Sequence, residues 1–302
     1  MHKWWKLAVG SVLAASLLTA GCGTQSADTG SKKLKVMTTF YPMYEFSKQV
    51  AGDLADVSVL VPAGTEPHDW EPTPKDVAQI ATANVFVYNG AGFESWVDDV
   101  LKSADAQKTK VVEASKGIEL IEGTDEHKAL DPHVWLDPVL AQKEVQTIAD
   151  SLAAADPAHA ADYKKNADTY IGKLQVLDTT FKSGLSNAKH RDFVTSHTAF
   201  SYLAKRYDLT QEPISGISPE QEPSASEMKG IVEFAKQHQV KTIFFETLVS
   251  PKVAEAVARE IGAETDVLNP LEGLTEEERT SGLDYVGVMK KNLEALQKAL
   301  AK

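Results

Sequence analysis

From Leu34 onward, short apolar runs rich in β-branched residues alternate with longer stretches in which apolar residues return every three or four positions. The runs LKVMTTF (34–40), VSVLVP (57–62), NVFVYNG (84–90) and KVVEAS (110–115) predict strands, and 42–51, 74–83 and 93–104 predict the helices between them. Strand and helix in alternation mean βαβ units and a parallel sheet. The rhythm stops near residue 138. It resumes with DFVTS (192–196), a helix over 198–207, LTQEPI (209–214), a helix over 224–238, KTIFFE (241–246), a helix over 251–261, ETDVLNP (264–270) and a C-terminal helix from about 280.

Residues 138–188 hold no strand signal. Asp137-Pro138 and Asp156-Pro157 each set a capping Asp before a Pro at the first helical position, so two helices start here. In the second, Tyr163, Ala167, Tyr170, Leu174, Leu177, Phe181 and Leu185 form one apolar stripe. A helix from 157 to about 186 is roughly 45 Å long at about 1.5 Å per residue, enough to cross two lobes; the alternative is a helix that packs on one lobe alone. The chain therefore reads as an α/β protein of two lobes, 34–137 and 189–302. Each is a parallel sheet flanked by helices, and the linker 138–188 joins them through a long rigid backbone helix.

The first 33 residues follow another pattern. Lys3 and Lys6 precede an apolar run, Leu7 to Ala20, that is too short for a comfortable membrane span, and small residues follow, the layout of a secretory signal over 1–21. Leu18-Thr19-Ala20-Gly21-Cys22 resembles a bacterial lipobox, with Thr19 where Leu is more usual; Cys22 is then the lipidated first residue of the mature chain. Residues 22–33 are small and polar, as a flexible tether is. These features place the folded part outside the cell membrane, anchored to its outer face.

Charge and cysteine content narrow the partners. With 43 acidic against 31 basic residues the formal charge is −12, which argues against nucleic acid and agrees with a small cation. Cys22 is the only cysteine, so an internal disulfide and a cysteine-rich metal site are both excluded.

Of eight histidines, three stand in unusual surroundings: His68 in VPAGTEPHDWEP, His133 in DPHVWLDP and His197 after DFVTS. Glu272 follows TDVLNPL. His68, His197 and Glu272 come after the carboxyl ends of predicted strands, where open parallel sheets bind ligands, and His133 follows a longer loop. Two positions fall in each lobe, so facing lobes bring all four to one cleft. Three imidazoles with one carboxylate suit tetrahedral zinc, whereas manganese leans on oxygen. The spacings of the four match no local zinc motif, and a surface or core histidine remains the alternative for each.

The segments FYPMYEFSKQVAG, VLVPAGTEPHDWEPTPKDVAQIATANVFVYNG, DPHVWLDP, SHTAFSYLAKRY, GISPEQEPS and FFETLVSPKVAEAVARE resemble, in order, the zinc-uptake branch of the metal-binding ABC-transporter solute-binding lipoproteins. The resemblance runs from Leu34 to Lys302. It implies a rigid two-lobed fold with one metal between lobes, His68, His133 and His197 as imidazole ligands, and Glu272 as the fourth ligand, a position that varies among relatives. A His rather than Glu at the third position separates zinc from manganese. It further implies one Zn(II) per monomeric chain, no catalysis, and delivery to a cognate permease driven by its ATPase. Many relatives carry a His-rich acidic loop before the second ligand; here 117–128 is short and holds one histidine, His127.

Other residues have weaker claims. Glu246, closing TIFFE, points toward the cleft by topology and is assigned to orienting a ligand imidazole; a pairing with Arg or Lys is the alternative. Glu71 is a candidate ligand or a turn carboxylate. Trp70 and Trp135 either wall the site or fill the core. The loop 215–224 belongs at the cleft mouth, and Ser224 with Glu227 spells a capping box. His127, His159, His190 and His238 read as solvated, and His2 lies in the signal. Two other functions stay in play: a zinc hydrolase with Glu272 as base, against which stand a closed four-ligand site and the absence of HExxH and G-x-S-x-G, and a manganese-binding or adhesin lipoprotein of the same fold.

Overall fold

The computed structural model describes residues 33–103, 108–123 and 129–302. The signal segment 1–21, Cys22, nearly all of the tether and His127 lie outside the described residues. Four strands, β1 (Leu34–Thr38), β2 (Ala55–Val59), β3 (Val85–Tyr88) and β4 (Lys110–Glu113), form a parallel sheet in the order β2-β1-β3-β4. Four more, β5 (Asp192–Thr195), β6 (Thr210–Pro213), β7 (Thr242–Phe245) and β8 (Glu264–Val267), repeat that order as β6-β5-β7-β8, again all parallel. Both sheets are flanked by helices, as the alternating pattern predicts.

The first half carries α1 (Tyr41–Ala51), α2 (Pro74–Thr82) and α3 (Val97–Ser103). Helix α3 begins four residues later than its apolar pattern suggests. Gly90 (φ 89°), Ala91 (φ 55°) and Gly92 (φ 83°) turn through left-handed backbone that no helix admits. The Glu94 carboxylate holds this turn, accepting from the backbone N–H groups of Asn89 and Gly90 and from the Thr39 hydroxyl.

Helices α4 (Pro138–Ala155) and α5 (Ala160–Leu185) fill the segment without strands. Asp137 caps α4, its carboxylate accepting from the Val139 N–H at 2.8 Å. Asp156 does not cap: Pro157–His159 forms a 3₁₀ turn instead, and the Asp156 carboxylate accepts from His159 and the Tyr163 hydroxyl. Helix α5 is therefore shorter than expected, about 39 Å at 1.5 Å per residue. All seven stripe residues are buried. They join one continuous core that runs from Val36 in β1 to Phe244 in β7, and each fully buried Leu or Phe contributes roughly 1.5–3 kcal/mol to it. Asn166 donates to the Val50 carbonyl on one side and Gly184 accepts from Gln297 on the other, so α5 touches both halves.

The second half adds α6 (Ser201–Arg206), α7 (Ala225–Gln237), α8 (Lys252–Ile261), α9 (Glu276–Thr280) and α10 (Tyr285–Leu300). The C-terminal helix, expected from about 280, starts at Tyr285 because Gly282 takes φ 74° between it and α9, and Asp284 starts α10 by accepting from the Gly287 N–H. Ser224 and Glu227 form the reciprocal capping box of α7. Among the described residues no helix is long and apolar enough to cross a membrane.

Candidate metal centre

All four candidate ligands sit beyond strand ends, but at different removes. His197 lies two residues past β5 and Glu272 five past β8, whereas His68 lies nine residues past β2, at the end of a loop turned by Pro62 and Gly64 (φ 78°). That loop crosses to the second half, where the Gly64 N–H donates to the Leu274 carbonyl. His133 precedes the 3₁₀ turn Val134–Leu136 that leads into α4. Leu271 stands at φ 58°, a costly conformation for a branched residue. It is held there by Asn269, whose side-chain oxygen accepts the Leu271 N–H while its own backbone is bound on both sides by Asn292. This kink turns Glu272 inward.

The four side chains converge. His197 Nε2 lies 3.1 Å from Glu272 Oε1 and 3.2 Å from His133 Nε2; His133 Nε2 lies 3.2 Å from Glu272 Oε1 and 3.4 Å from His68 Nε2; His68 Nε2 lies 3.3 Å from Glu272 Oε1. A tetrahedron with zinc-to-ligand arms of about 2.0–2.1 Å has edges of about 3.3–3.4 Å. His133, His197 and Glu272 are buried and His68 nearly so. Phe93 packs edge-on against His68 at 4.7 Å between ring centres, and Trp135 lies 5.1 Å from His133.

Each buried imidazole has its outer nitrogen tied down. His197 Nδ1–H donates to Glu246 at 2.6 Å, as its position after β7 suggests. His133 Nδ1–H donates to Asp131 at 2.8 Å, and the same carboxylate accepts the His133 backbone N–H. With Nδ1 donating, each ring presents its Nε2 lone pair to the centre of the cluster. No hydrogen bond to His68 Nδ1 is present among the described residues.

Burial disfavours charge on His197, but Glu246 and Glu272 override it and hold its imidazolium well above the usual range. Burial likewise opposes charge on His133, and hydrogen bonds to Asp131 and Glu272 outweigh it, leaving a raised value. On His68 burial wins and the value falls. Burial pushes Glu272 up, yet His197 and His68 bring it well below the ordinary carboxylate value. The result is a compact anionic pocket in which protons and a dication compete for the same lone pairs.

The remaining candidates separate. Glu71 is exposed and outside the cluster. Trp135 is buried beside His133, its indole N–H donating to the Pro270 carbonyl; Trp70 packs on Trp96 instead, and Phe93 takes the place beside His68. The loop 215–224 does reach the cleft, where Glu220 comes within 4.8 Å of Glu66 and Asp69. Burial, with help from Glu272, raises Glu66 to about 7. His159 and His238 are half-buried partners of Asp156 and Asp192 rather than free in solvent, and His190 is half-buried too. The Ser196 hydroxyl donates to the Phe244 carbonyl, so it is not activated by a histidine. Asp131, Phe93, Asn269 and Asn292 escaped the sequence reading. Asp131 carried a signal, a carboxylate two residues before a candidate ligand.

Two parallel sheets of like order with a buried three-imidazole, one-carboxylate cluster at their strand ends define the class: a two-lobed α/β protein built to hold a small ligand between its sheets. The chain belongs to the family described as ZnuA, zinc-uptake complex component A, periplasmic, which it matches over residues 36–299. It is 49% identical to the high-affinity zinc uptake system protein ZnuA of Bacillus subtilis (strain 168), over 99% of this chain and 98% of that protein. The crystal structure of the Zn(II)-bound ZnuA-like domain of Streptococcus pneumoniae AdcA superposes with a TM-score of 0.79 at 47% identity, covering 89% of this chain and 100% of that one. The chain spans 60% of the length of full AdcA. The laminin-binding protein Lmb of Streptococcus agalactiae, described as bifunctional with adhesin and metal transporting activity, gives a TM-score of 0.82 at 41% identity, covering 89% and 99% of the two chains.

Proposed function

We propose that this chain is the extracytoplasmic zinc-binding component of an ABC importer, taking one Zn(II) between its lobes and handing it to a permease powered by a cytoplasmic ATPase. The observation that carries the reading is the five separations of 3.1–3.4 Å among three Nε2 atoms and one Glu272 oxygen, close to five of the six edges of a zinc tetrahedron, with all four atoms within 4.8 Å of one another. His68, His133, His197 and Glu272 are the ligands, and Glu246 and Asp131 orient two of them. Three nitrogens to one oxygen favour zinc over manganese. Four protein groups close the shell, which leaves no position for a catalytic water, so the chain is a carrier and not an enzyme.

The monomer is anchored by lipid on Cys22, behind the cleaved signal 1–21 and the tether 22–33. Lobes 34–137 and 189–302 hold the metal, with 138–188 as the strut. Likeness to Lmb supports a second role in adhesion, which need not compete with transport. The test is growth of a deletion strain under zinc chelation, with elemental analysis of protein purified from its own membrane. Chelation-sensitive growth restored by zinc, and about one zinc per chain, are expected. Normal growth of the deletion strain, or manganese in the purified protein, would overturn the reading.

A further inference from the structure

His133 comes from the first half of the chain, yet the group that fixes its backbone comes from the second. The Tyr202 hydroxyl, on α6, donates to the Asp131 carbonyl at 2.7 Å and accepts from the Ile121 N–H at 2.9 Å. Asp131 N–H in turn donates to the Ile121 carbonyl at 2.9 Å. The Tyr202 ring is buried in a small apolar cluster with Ile118 and Val134, the residue after His133. At the other end of the same turn, Arg206 donates to the Asp137 carboxylate at 2.8 Å. Residues 131–137 are thus gripped at both ends by one short helix that starts four residues after His197.

We infer that Tyr202 is a positioning residue for the metal: by fixing Asp131 it holds the Asp131–His133 unit at the distance from His197 that the tetrahedron requires. The inference rests on the metal-binding reading of the cluster. Asp131 is the group that holds His133 Nδ1, so a shift of its backbone moves the ring and its Nε2 together. One continuous segment, SHTAFSYLAKRY, then supplies one ligand and sets a second, which fixes their separation without a sequence-local motif. Removal of the hydroxyl leaves the ring's packing intact and unpairs only the Asp131 carbonyl and the Ile121 N–H.

The experiment is zinc affinity of the full chain by chelator competition, with the visible spectrum of the Co(II)-loaded protein as geometric readout. Tyr202→Phe is expected to weaken zinc about tenfold, the lower end of what loss of an outer hydrogen-bond partner costs, and to alter the tetrahedral Co(II) bands. In a His133→Ala background the same change is expected to have no further effect, whereas in a His68→Ala background it keeps its full effect. Wild-type affinity and spectrum in Tyr202→Phe would overturn the inference, as would an equal loss in both backgrounds, which marks general loosening. A wild-type chain with no zinc affinity would overturn the metal reading itself, a result distinct from either.

Discussion

His197 and His133 sit on buried backbone with a carboxylate behind each ring, while His68 arrives at the end of a nine-residue loop with no hydrogen bond to its outer nitrogen among the described residues. Three of the four groups, counting Glu272 on its Asn269-braced kink, are set by the fold before a metal arrives. The fourth is set by contact with Phe93, by the Glu66 carboxylate that accepts its backbone N–H, and by loop hydrogen bonds such as that from the Gly64 N–H to the Leu274 carbonyl. A centre built this way has a stiff floor of two imidazoles and a carboxylate and one ligand that costs less to displace.

The strongest test of that contrast pairs two ligand deletions. His197→Ala is expected to weaken zinc by more than 100-fold and also to destabilise the metal-free protein by roughly 3–5 kcal/mol, because Glu246 and Glu272 lose the cation that each pairs with in a buried setting. His68→Ala is expected to weaken zinc by more than tenfold but to leave metal-free thermal stability nearly unchanged. Zinc titration and melting curves in chelator check both; equal melting losses would erase the distinction between floor and loop.

Next in size are the outer carboxylates. Glu246→Gln and Asp131→Asn are each expected to cost about 10–100-fold in zinc affinity with four-coordination retained. If either left affinity unchanged, the orientation of the corresponding imidazole would be set by packing alone.

Proton competition follows. Because His197 and His133 hold their protons above the ordinary imidazole value of about 6.5, zinc affinity should begin to fall above that pH as the solution is acidified, and fall with more than one proton per metal. The metal-free protein behaves differently. The raised His197 contributes stability that is full below the ordinary imidazole value and is lost as pH rises through its higher folded value. The lowered Glu272 contributes stability present above the ordinary carboxylate value and lost as pH falls through its lower folded one. Melting of the metal-free chain therefore peaks between those limits. A zinc affinity flat from neutral pH to 5 would contradict the assignment.

The smallest effect concerns a carboxyl that lacks what Glu246 and Asp131 have. Glu144 on α4 is fully buried, neither oxygen has a hydrogen-bond partner among the described residues, and burial with the nearby Glu94 raises it well above the usual value. The native state keeps a proton that the unfolded chain releases, so Glu144 lowers stability as pH rises. Glu144→Gln should raise stability by about 1–3 kcal/mol at pH 8, and less near pH 4, with zinc affinity unchanged.

Much of this was legible in the chain itself, for identifiable reasons. The α5 stripe is a period of three and four sustained over 23 positions, and all seven of its residues are buried. His68, His197 and Glu272 stand in segments whose strand, turn and proline signals place them after strand ends, and His133 stands beside the Asp137-Pro138 helix start. What escaped depends on backbone outside the usual regions or on contacts far apart in sequence. The Glu94 carboxylate folds back onto the Asn89 and Gly90 N–H groups and delays α3 to Val97, after a turn with Ala91 at φ 55° that no local residue pattern announces in an alanine. Phe93 displaces Trp70 from the site because the same turn swings it over His68, while Trp70 finds Trp96. Asp156 looked like a cap but is drawn to Tyr163 and His159. Tyr202 meets Asp131 across 71 residues, a pairing only the fold creates.

The central claim is a single zinc held by three imidazoles and one carboxylate. X-ray absorption spectroscopy on the zinc-loaded chain tests it most directly. Four light ligands are expected at about 2.0–2.1 Å with the outer-shell scattering of three imidazole rings, reduced to two in His197→Ala. A six-coordinate oxygen shell, or imidazole scattering unchanged by that substitution, would contradict it.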